Sequence, residues 1–288
     1  MAAKAGLILD SFNEMKTTAI NIGDDDFILG TEFLISLRNR ANFPFISANL
    51  YTKEYQKPLF EQYLIREVGG IRLGIIGVAW DGGNFPSTID VLDPITKARE
   101  IISKISGEVD IIVALTHMPL KVEMSFLDSL PEIDFAIGGH DGKSHIKPKL
   151  VGGRGIYKAG AEGQNLGKID LAYEKRDENI KELSAIFLNL KRVETNLGRL
   201  EDGLRGSTIE ERYEENKPEA AKIEELKAKK KNLLESINSS VNTASFSIIK
   251  LSGEYPSDET IDSYVQEFRK YFPAVEKADE LEEELLID

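Results

Sequence analysis

Short apolar runs that end in polar residues recur along the first half of the chain and predict buried parallel β-strands. Residues 111–115 form one such run and lead to His117, and residues 135–137 form another and lead through two glycines to His140. Between them, residues 121–130 have apolar positions at helical spacing, so the stretch predicts a βαβ unit. Because ligands bind at the carboxyl ends of strands in open α/β sheets, we expect both histidines to lie at one site.

The pattern changes after residue 189, where apolar residues recur at intervals of three and four. This spacing predicts a long helix, and a second such run follows with Lys230 at one of its apolar positions. Together they predict an antiparallel coiled-coil hairpin, which is either a partner-binding arm or a self-contained appendage. Its apolar positions are Leu190, Val193, Leu197, Leu200 and Leu204 in the first run and Ile223, Leu226, Leu233 and Ile237 in the second.

Strand patterns before and after the helical hairpin indicate that it is inserted in an α/β domain. We predict a strand near residues 183–188, another at 244–251, and a last amphipathic helix capped by Asp258. Earlier in the chain, residues 58–80 predict a β-hairpin with a Gly-Gly turn. The predicted organisation is an α/β domain over 1–189, the inserted hairpin over 190–242, the return strand and final helix of the α/β domain over 243–275, and an acidic tail over 276–288.

The composition is that of an acidic globular protein. Of 288 residues, 41% are hydrophobic and 30% are charged, and the formal net charge is −13. A surface of this charge repels phosphate backbones and anionic membranes, so nucleic-acid binding is not expected without a basic patch. The chain has no cysteine, which excludes disulfides, thiolate metal sites and thiol nucleophiles.

The sequence contains no targeting or membrane-spanning pattern. No apolar run approaches the roughly 18 residues that a transmembrane helix needs. Acidic residues interrupt the first apolar run too early for a signal peptide. Taken literally, the sequence is that of a cytoplasmic protein.

Histidines and aspartates at predicted strand ends are the candidate functional residues. Neutral imidazole is the commonest side-chain ligand of transition metals, and His117 and His140 occupy matching positions. The alternative is that the two histidines cap their strands without a functional role. Asp24, Asp25 and Asp26 follow another β-type run, and like charges at that density are either screened by solvent or neutralised by a bound cation.

A resemblance to a known family rests on six segments in order: GDDDFILG, FPFISANL, PLFEQYLIREVGGIRLGIIGV, VDIIVALTH, PEIDFAIGGHDG and IYKAGAEGQNLGKIDL. Over roughly residues 5–175 the chain resembles the catalytic domain of the 5'-nucleotidase family, within the calcineurin-like metallophosphoesterases. The resemblance implies a four-layer α/β/β/α sandwich with two divalent metals between strand ends. It also implies hydrolysis of nucleotide or other phosphate esters, in which the metals activate a water and neutralise the phosphoryl oxygens. The family is often periplasmic or extracellular.

The family's site residues carry over to this chain one at a time. Its G-N-H-E segment falls on residues 23–26, so Asp24 takes the place of a metal-bridging Asn and Asp25 that of the catalytic His. An ionised Asp cannot donate a proton to the leaving oxygen, and it repels the phosphate. His117 matches a metal-ligating histidine, and His140 matches the first histidine of a G-H-x-H motif.

The second histidine of that motif falls on Gly142, which has no side chain to ligate with. His145 lies three residues further on and could swing in to replace it. Asp25, Asp26 and Asp141 are further candidate ligands in reserve.

Two motifs of the family, D-x-H and G-D, have no counterpart before the predicted first helix. The expected sandwich therefore lacks its first strands, and the metal ligands that remain are Asp24, His117 and His140. Three ligands with open positions can hold one ion, of manganese, zinc or a similar divalent metal, but they cannot build a two-metal clamp. Asn49 is expected to position its loop rather than take part in the chemistry.

The sequence alone is compatible with three functions. The first is hydrolysis of nucleotides or other phosphate esters, with the missing strands upstream or on another chain. Even then, Asp25 and Gly142 predict poor activity. The second is a non-catalytic scaffold that binds a protein partner through the hairpin at 190–242. The third is a metal-binding or nucleotide-binding module without turnover.

Overall fold

The computed structural model describes residues 1–176, 178–202 and 217–273 and contains both helices and strands. The helices are α1 (Ala2–Glu14), α2 (Thr31–Arg40), α3 (Pro94–Ile105), α4 (Leu120–Ser129), α5 (Ser184–Asp202), α6 (Lys217–Asn238) and α7 (Glu259–Tyr271). The strands are β1 (Ile20–Asn21), β2 (Phe45–Ile46), β3 (Leu50–Thr52), β4 (Lys57–Pro58), β5 (Tyr63–Val68), β6 (Ile71–Ala79), β7 (Ile89–Val91), β8 (Ile111–His117), β9 (Phe135–Gly138), β10 (Lys149–Val151), β11 (Arg154–Tyr157), β12 (Asn165–Ala172), β13 (Ile180–Glu182) and β14 (Asn242–Lys250).

A six-stranded sheet with the order β10-β11-β9-β8-β6-β5 forms the centre of the fold. Strands β6, β8, β9 and β11 run parallel, and the two outer strands run antiparallel to their neighbours. The β8-α4-β9 unit and the β5-β6 hairpin are both as predicted. The hairpin turns at Gly69 and Gly70, whose φ angles of 61° and 83° lie in the left-handed region that glycine tolerates.

Each face of the central sheet buries a different apolar cluster. On one face, α3 and α4 pack against the strands around residues such as Ile101, Ile105, Phe126 and Leu127, all at most 1% exposed. On the other face, a three-stranded sheet of order β12-β14-β13 packs against the strands through Phe246, with Ile111, Val113, Phe135 and Tyr157. Helices, large sheet and small sheet therefore form successive layers.

The small sheet covers only part of the large one. A groove of about 630 Å³ lies between them, with a lining that is almost wholly apolar. Ile71, Leu73 and Leu115 of the large sheet line this groove and are only half-buried. A strip of apolar side chains on the large sheet therefore lies open along the groove.

The strand predicted near residues 183–188 is wrong, because the chain leaves the small sheet at Leu183 and begins α5 at Ser184. Leu183 N donates to Ala244 O at 2.8 Å. Ser184 Oγ accepts from Phe246 N at 2.7 Å, so the helix start is bonded to β14. The apolar run after Ser184 belongs to the helical period that continues to Leu197, and the helical insertion begins at 184 instead of 190.

Helices α5 and α6 pack together through Val193, Leu197, Ile223 and Leu226, all of them buried. Lys230, the charged residue in the apolar seam, has its Nζ 2.8 Å from Glu194 Oε1. Just before α5, Lys181 Nζ donates at 2.9 Å to the carbonyl of residue 236, near the end of α6. The chain before α5 therefore contacts the end of α6, whereas Glu194, further along α5, contacts Lys230, earlier in α6. The two helices are antiparallel.

Residues 203–216, which join the two helices, and the predicted acidic tail at 276–288 lie outside the described residues. The partner-binding role of the hairpin stays a prediction. Among the described helices, none combines the length and the apolar character needed to cross a lipid bilayer.

Asp134 links β8 to the turn before β9 and has an unusual ionisation. Its Oδ2 accepts from Ile112 N at 2.8 Å. Burial raises the pKa of this carboxyl from 3.8 to about 6, against the opposing effects of the Ile112 N–H and Arg154. The folded state therefore holds the proton more tightly than the unfolded state. The resulting stabilisation is complete below pH ~4 and is lost as the pH rises through about 6.

We predict that Asp134→Asn removes this loss of stability, because the amide oxygen still accepts from Ile112 N and carries no charge to desolvate. At pH 7 the variant should exceed the wild type in free energy of unfolding by on the order of 2 kcal/mol. Urea unfolding at pH 4, 5, 6 and 7 measures this difference.

Asp128→Asn is the matched control, since this carboxylate is exposed on α4. It should follow the wild-type pH dependence throughout. Parallel curves for wild type and Asp134→Asn between pH 4 and 7 would contradict the prediction.

Candidate metal centre

Asp24, His117 and His140 bring three metal-ligand atoms together, all within 4.8 Å of one another. His117 Nε2 lies 2.9 Å from Asp24 Oδ1 and 3.0 Å from His140 Nδ1. The two imidazole rings meet edge to face, with centroids 4.8 Å apart and an angle of 86° between planes. The three ligands predicted from the sequence therefore form one cluster.

Strand register places the two histidines side by side. In the parallel ladder, His117 pairs with Ala79 of β6, and Thr116 pairs with Gly138 of β9. His117 is the last residue of β8, and His140 follows the end of β9 by two residues. Their side chains therefore meet at the carboxyl edge of the sheet, where α/β folds bind ligands.

Gly23 allows the backbone before Asp24 to lie directly against the His117 ring. A Cβ at this position would be 2.5 Å from the imidazole carbons, which no side chain could occupy. The Gly23 N–H donates to Asp26 Oδ2 at 2.8 Å and closes a short turn. A 3-10 helix follows at Asp25–Phe27 and directs Asp24 towards the histidines.

The loop after β6 holds both Asp24 and His117, and it is the part of the site that sequence reasoning missed. Asn84 N donates to Asp24 Oδ2 at 2.9 Å, and Trp80 N donates to His117 O at 2.9 Å. The Trp80 ring lies edge-on to His140, with centroids 5.9 Å apart. A polar, glycine-rich segment directly after a central strand was the signal that could have identified this loop.

The charge state of Asp24 suits a ligand role. Partial burial works against ionisation, but the N–H groups of Asn84 and of Asp24 itself, together with His117, outweigh it and hold the pKa of the carboxyl below its usual range. Two imidazole nitrogens and one carboxylate oxygen are a donor set that zinc, manganese and similar ions accept. The residues therefore fit a divalent metal ion.

The auxiliary candidates do not join this cluster in the described part of the chain. Asp25 is exposed at the start of the 3-10 helix, and Asp26 bonds to Gly23 as described. Asp141 Oδ1 lies 2.6 Å from Lys158 Nζ instead of facing the three ligands. The backbone N of His145 donates to Lys158 O at 3.0 Å, and its side-chain Nε2 is buried without a hydrogen-bond partner among the described residues.

Gly142 and Asn49 occupy positions that the resemblance singled out. Gly142 has a φ of 60°, so a histidine there would be strained in this loop conformation. Asn49 is fully buried, donates to Ala79 O and Leu92 O at 2.8 and 2.9 Å, and accepts from Ala79 N at 2.9 Å. These backbone bonds near the end of β6 are those expected of a residue that positions its loop.

Comparison with known proteins agrees with this fold. A 5'-nucleotidase of Vibrio cholerae is 28% identical over 216 residues, which is 62% of this chain and 39% of that protein. The calcineurin-like phosphoesterase YfkN of Bacillus subtilis superposes with a TM-score of 0.61 at 20% identity, over 94% of this chain and 75% of that one. A 5'-nucleotidase precursor of Thermus thermophilus superposes with a TM-score of 0.64 at 17% identity, over 93% and 46%. No family model matches the chain.

The fold is similar to that of calcineurin-like phosphoesterases. Its sequence is similar to that of 5'-nucleotidases such as the Vibrio cholerae protein. The chain spans about 39% of the length of the Vibrio relative that it matches.

We predict that the wild-type protein retains about one manganese ion per chain after dialysis, and that His117→Ala/His140→Ala retains none, because two of the three ligands are gone. Elemental analysis measures the stoichiometry. Trp80 is the single tryptophan of the chain and contacts His140, so its emission provides a titration signal for the same site.

His145→Ala is the matched control, since it removes the one remaining histidine of the chain. The variant should bind manganese as the wild type does. An equal metal content in the wild type and the double variant would show that the ion binds elsewhere.

Proposed function

We propose that this chain is a metal-dependent phosphoester hydrolase domain that acts on nucleotides or related phosphate esters. The single observation that carries the proposal is the convergence of Asp24, His117 and His140 at the carboxyl edge of a phosphoesterase fold. A divalent cation held there supplies Lewis-acid chemistry, because it acidifies water and neutralises negative charge on phosphoryl oxygens.

The proposed site holds one ion of manganese, zinc or a similar metal, bound by three protein ligands. His117 offers Nε2, the atom that lies between Asp24 Oδ1 and His140 Nδ1. Gly23 and the loop from Trp80 to Asn84 keep these ligands in place through the close ring contact and the two backbone hydrogen bonds described above.

A cation would also solve the problem of substrate capture. The chain has 49 acidic and 36 basic residues, so its overall field repels an anionic phosphate ester. Local positive charge at the site is therefore needed before a nucleotide phosphate can approach. The similarity to a 5'-nucleotidase supports a nucleotide as the substrate class.

Asp25 limits turnover in this proposal. It is exposed and follows the ligand Asp24 directly, so a bound phosphate would meet a second carboxylate. An ionised carboxylate cannot protonate a leaving oxygen, whereas a histidine can. The domain is therefore expected to hydrolyse phosphate esters slowly.

We predict that Asp25→Asn lowers the KM for 5'-AMP severalfold because it removes the repulsion, and that Asp25→His raises kcat by at least about tenfold because it restores a proton donor. Both follow from steady-state hydrolysis of 5'-AMP and bis(4-nitrophenyl) phosphate with manganese present. His117→Ala/His140→Ala should abolish the activity of each protein.

Asp262→Asn is the charge-matched control, because it neutralises an exposed aspartate on α7. It should leave both constants unchanged. Metal binding without product from the wild type and from Asp25→His would instead identify a binding module without turnover.

A further inference from the structure

A buried network of charged side chains lies directly behind the two histidines. Lys158 Nζ lies 3.0 Å from Glu123 Oε2 and 2.6 Å from Asp141 Oδ1. The side chains of Lys158 and Glu123 are 1% and 0% exposed, and that of Asp141 is 23% exposed. Thr116 Oγ1 donates to Glu123 Oε1 and forms the other end of the network.

The two ends of the network adjoin the two metal-ligand candidates. Thr116 precedes His117 in β8, and Asp141 follows His140. The network therefore connects the carboxyl ends of β8 and β9 through groups on α4 and after β11. The carbonyl of Lys158 also accepts the backbone N–H of His145 at 3.0 Å, which holds the loop after His140 at a second point.

Packing around the buried carboxylate is specific. A Cβ at Gly138 would overlap Glu123 Oε1, so only glycine lets the carboxylate approach β9 at this point. Glu123 Oε2 forms an ion pair with the Lys158 ammonium, although the geometry is not that of a hydrogen bond. This oxygen has no other partner among the described residues. The geometry leaves Lys158 as the cation that compensates this carboxylate.

Stability alone does not account for such a network. A buried ion pair adds little net stability, because the loss of hydration of each charge offsets the attraction between them. Replacement by apolar residues is often neutral or stabilising. In contrast, a network of fixed hydrogen bonds and ion pairs can hold neighbouring groups in one arrangement, as metal sites require of the groups around their ligands. The position of this network, between the residues next to two ligands, favours the second role.

We propose that Lys158 is a positioning residue of the metal centre: with Glu123 and Asp141 it holds the ends of β8 and β9 so that His117 and His140 present their nitrogens to one ion. This inference rests on the metal centre proposed above. It assigns no contact between Lys158 and the ion or the substrate.

The test is a manganese titration followed by Trp80 emission. Lys158→Met keeps the approximate length of the side chain and removes its charge, and its dissociation constant for manganese should rise at least about tenfold while far-UV circular dichroism shows a folded protein. Lys168→Met is the control, since Lys168 is 55% exposed and pairs with Asp170 on β12. Its dissociation constant should equal that of the wild type.

A second variant separates positioning from folding. Glu123→Gln/Lys158→Met removes both buried charges, so its melting temperature should recover relative to Lys158→Met, in which Glu123 is buried without a cation. Asp141 still lacks its partner in the double variant, so the dissociation constant should stay raised.

Two outcomes overturn the inference while leaving the metal centre in place. One is a dissociation constant for Lys158→Met within about twofold of the wild type; the other is a double variant whose metal affinity recovers together with its melting temperature. A wild-type protein that binds no manganese would overturn the metal centre itself, and this inference with it.

Discussion

Parallel pairing of β8 with β6 and β9 is the constraint on which the site depends. Successive side chains of a strand point to opposite faces, so a slip of one residue would turn His117 away from His140 and move each apolar residue before it to the opposite face of the sheet. Residues 111–114 are all buried, between α3 and α4 on one side and the small sheet on the other. The packing that stabilises the fold therefore also determines where the ligands lie.

Two glycines let side chains of the site pack directly against the backbone, so backbone positions also constrain the site. Gly23 admits the His117 ring against the backbone, and Gly138 admits the Glu123 carboxylate. In both places the structure brings a polar side chain to within contact distance of the main chain, where any Cβ would displace it. Site geometry is thus built from backbone contacts as well as from the ligands themselves.

Much of the fold and the two histidines followed from patterns local to the sequence, whereas the family resemblance distinguished Asp24 from Asp25 and Asp26. The βαβ unit was predictable because apolar runs of strand length flank a helical period, and both histidines stand at matching ends of those runs. The helix start at Ser184 was not predictable in this way, because an apolar run such as the one after Leu183 suits a strand or a helix equally. In the structure, Ser184 Oγ at the helix start accepts from Phe246 N, 62 residues away.

Long-range partners explain what sequence reasoning missed at the site. Lys158 follows a strand pattern and has no local sign of burial, yet it meets Glu123 and Asp141 from other elements. Asn84 reaches Asp24 across 60 positions through its backbone N–H, an interaction that side-chain identity cannot reveal. Such contacts depend on tertiary structure and form only in the folded chain.

Anomalous diffraction from a crystal soaked in manganese tests the central claim most directly, because it locates the ion. We expect a single strong anomalous peak about 2.0–2.3 Å from Asp24 Oδ1, His117 Nε2 and His140 Nδ1, with the distances typical of carboxylate and imidazole ligands. A peak at other residues, or none at all between these three, would contradict the account.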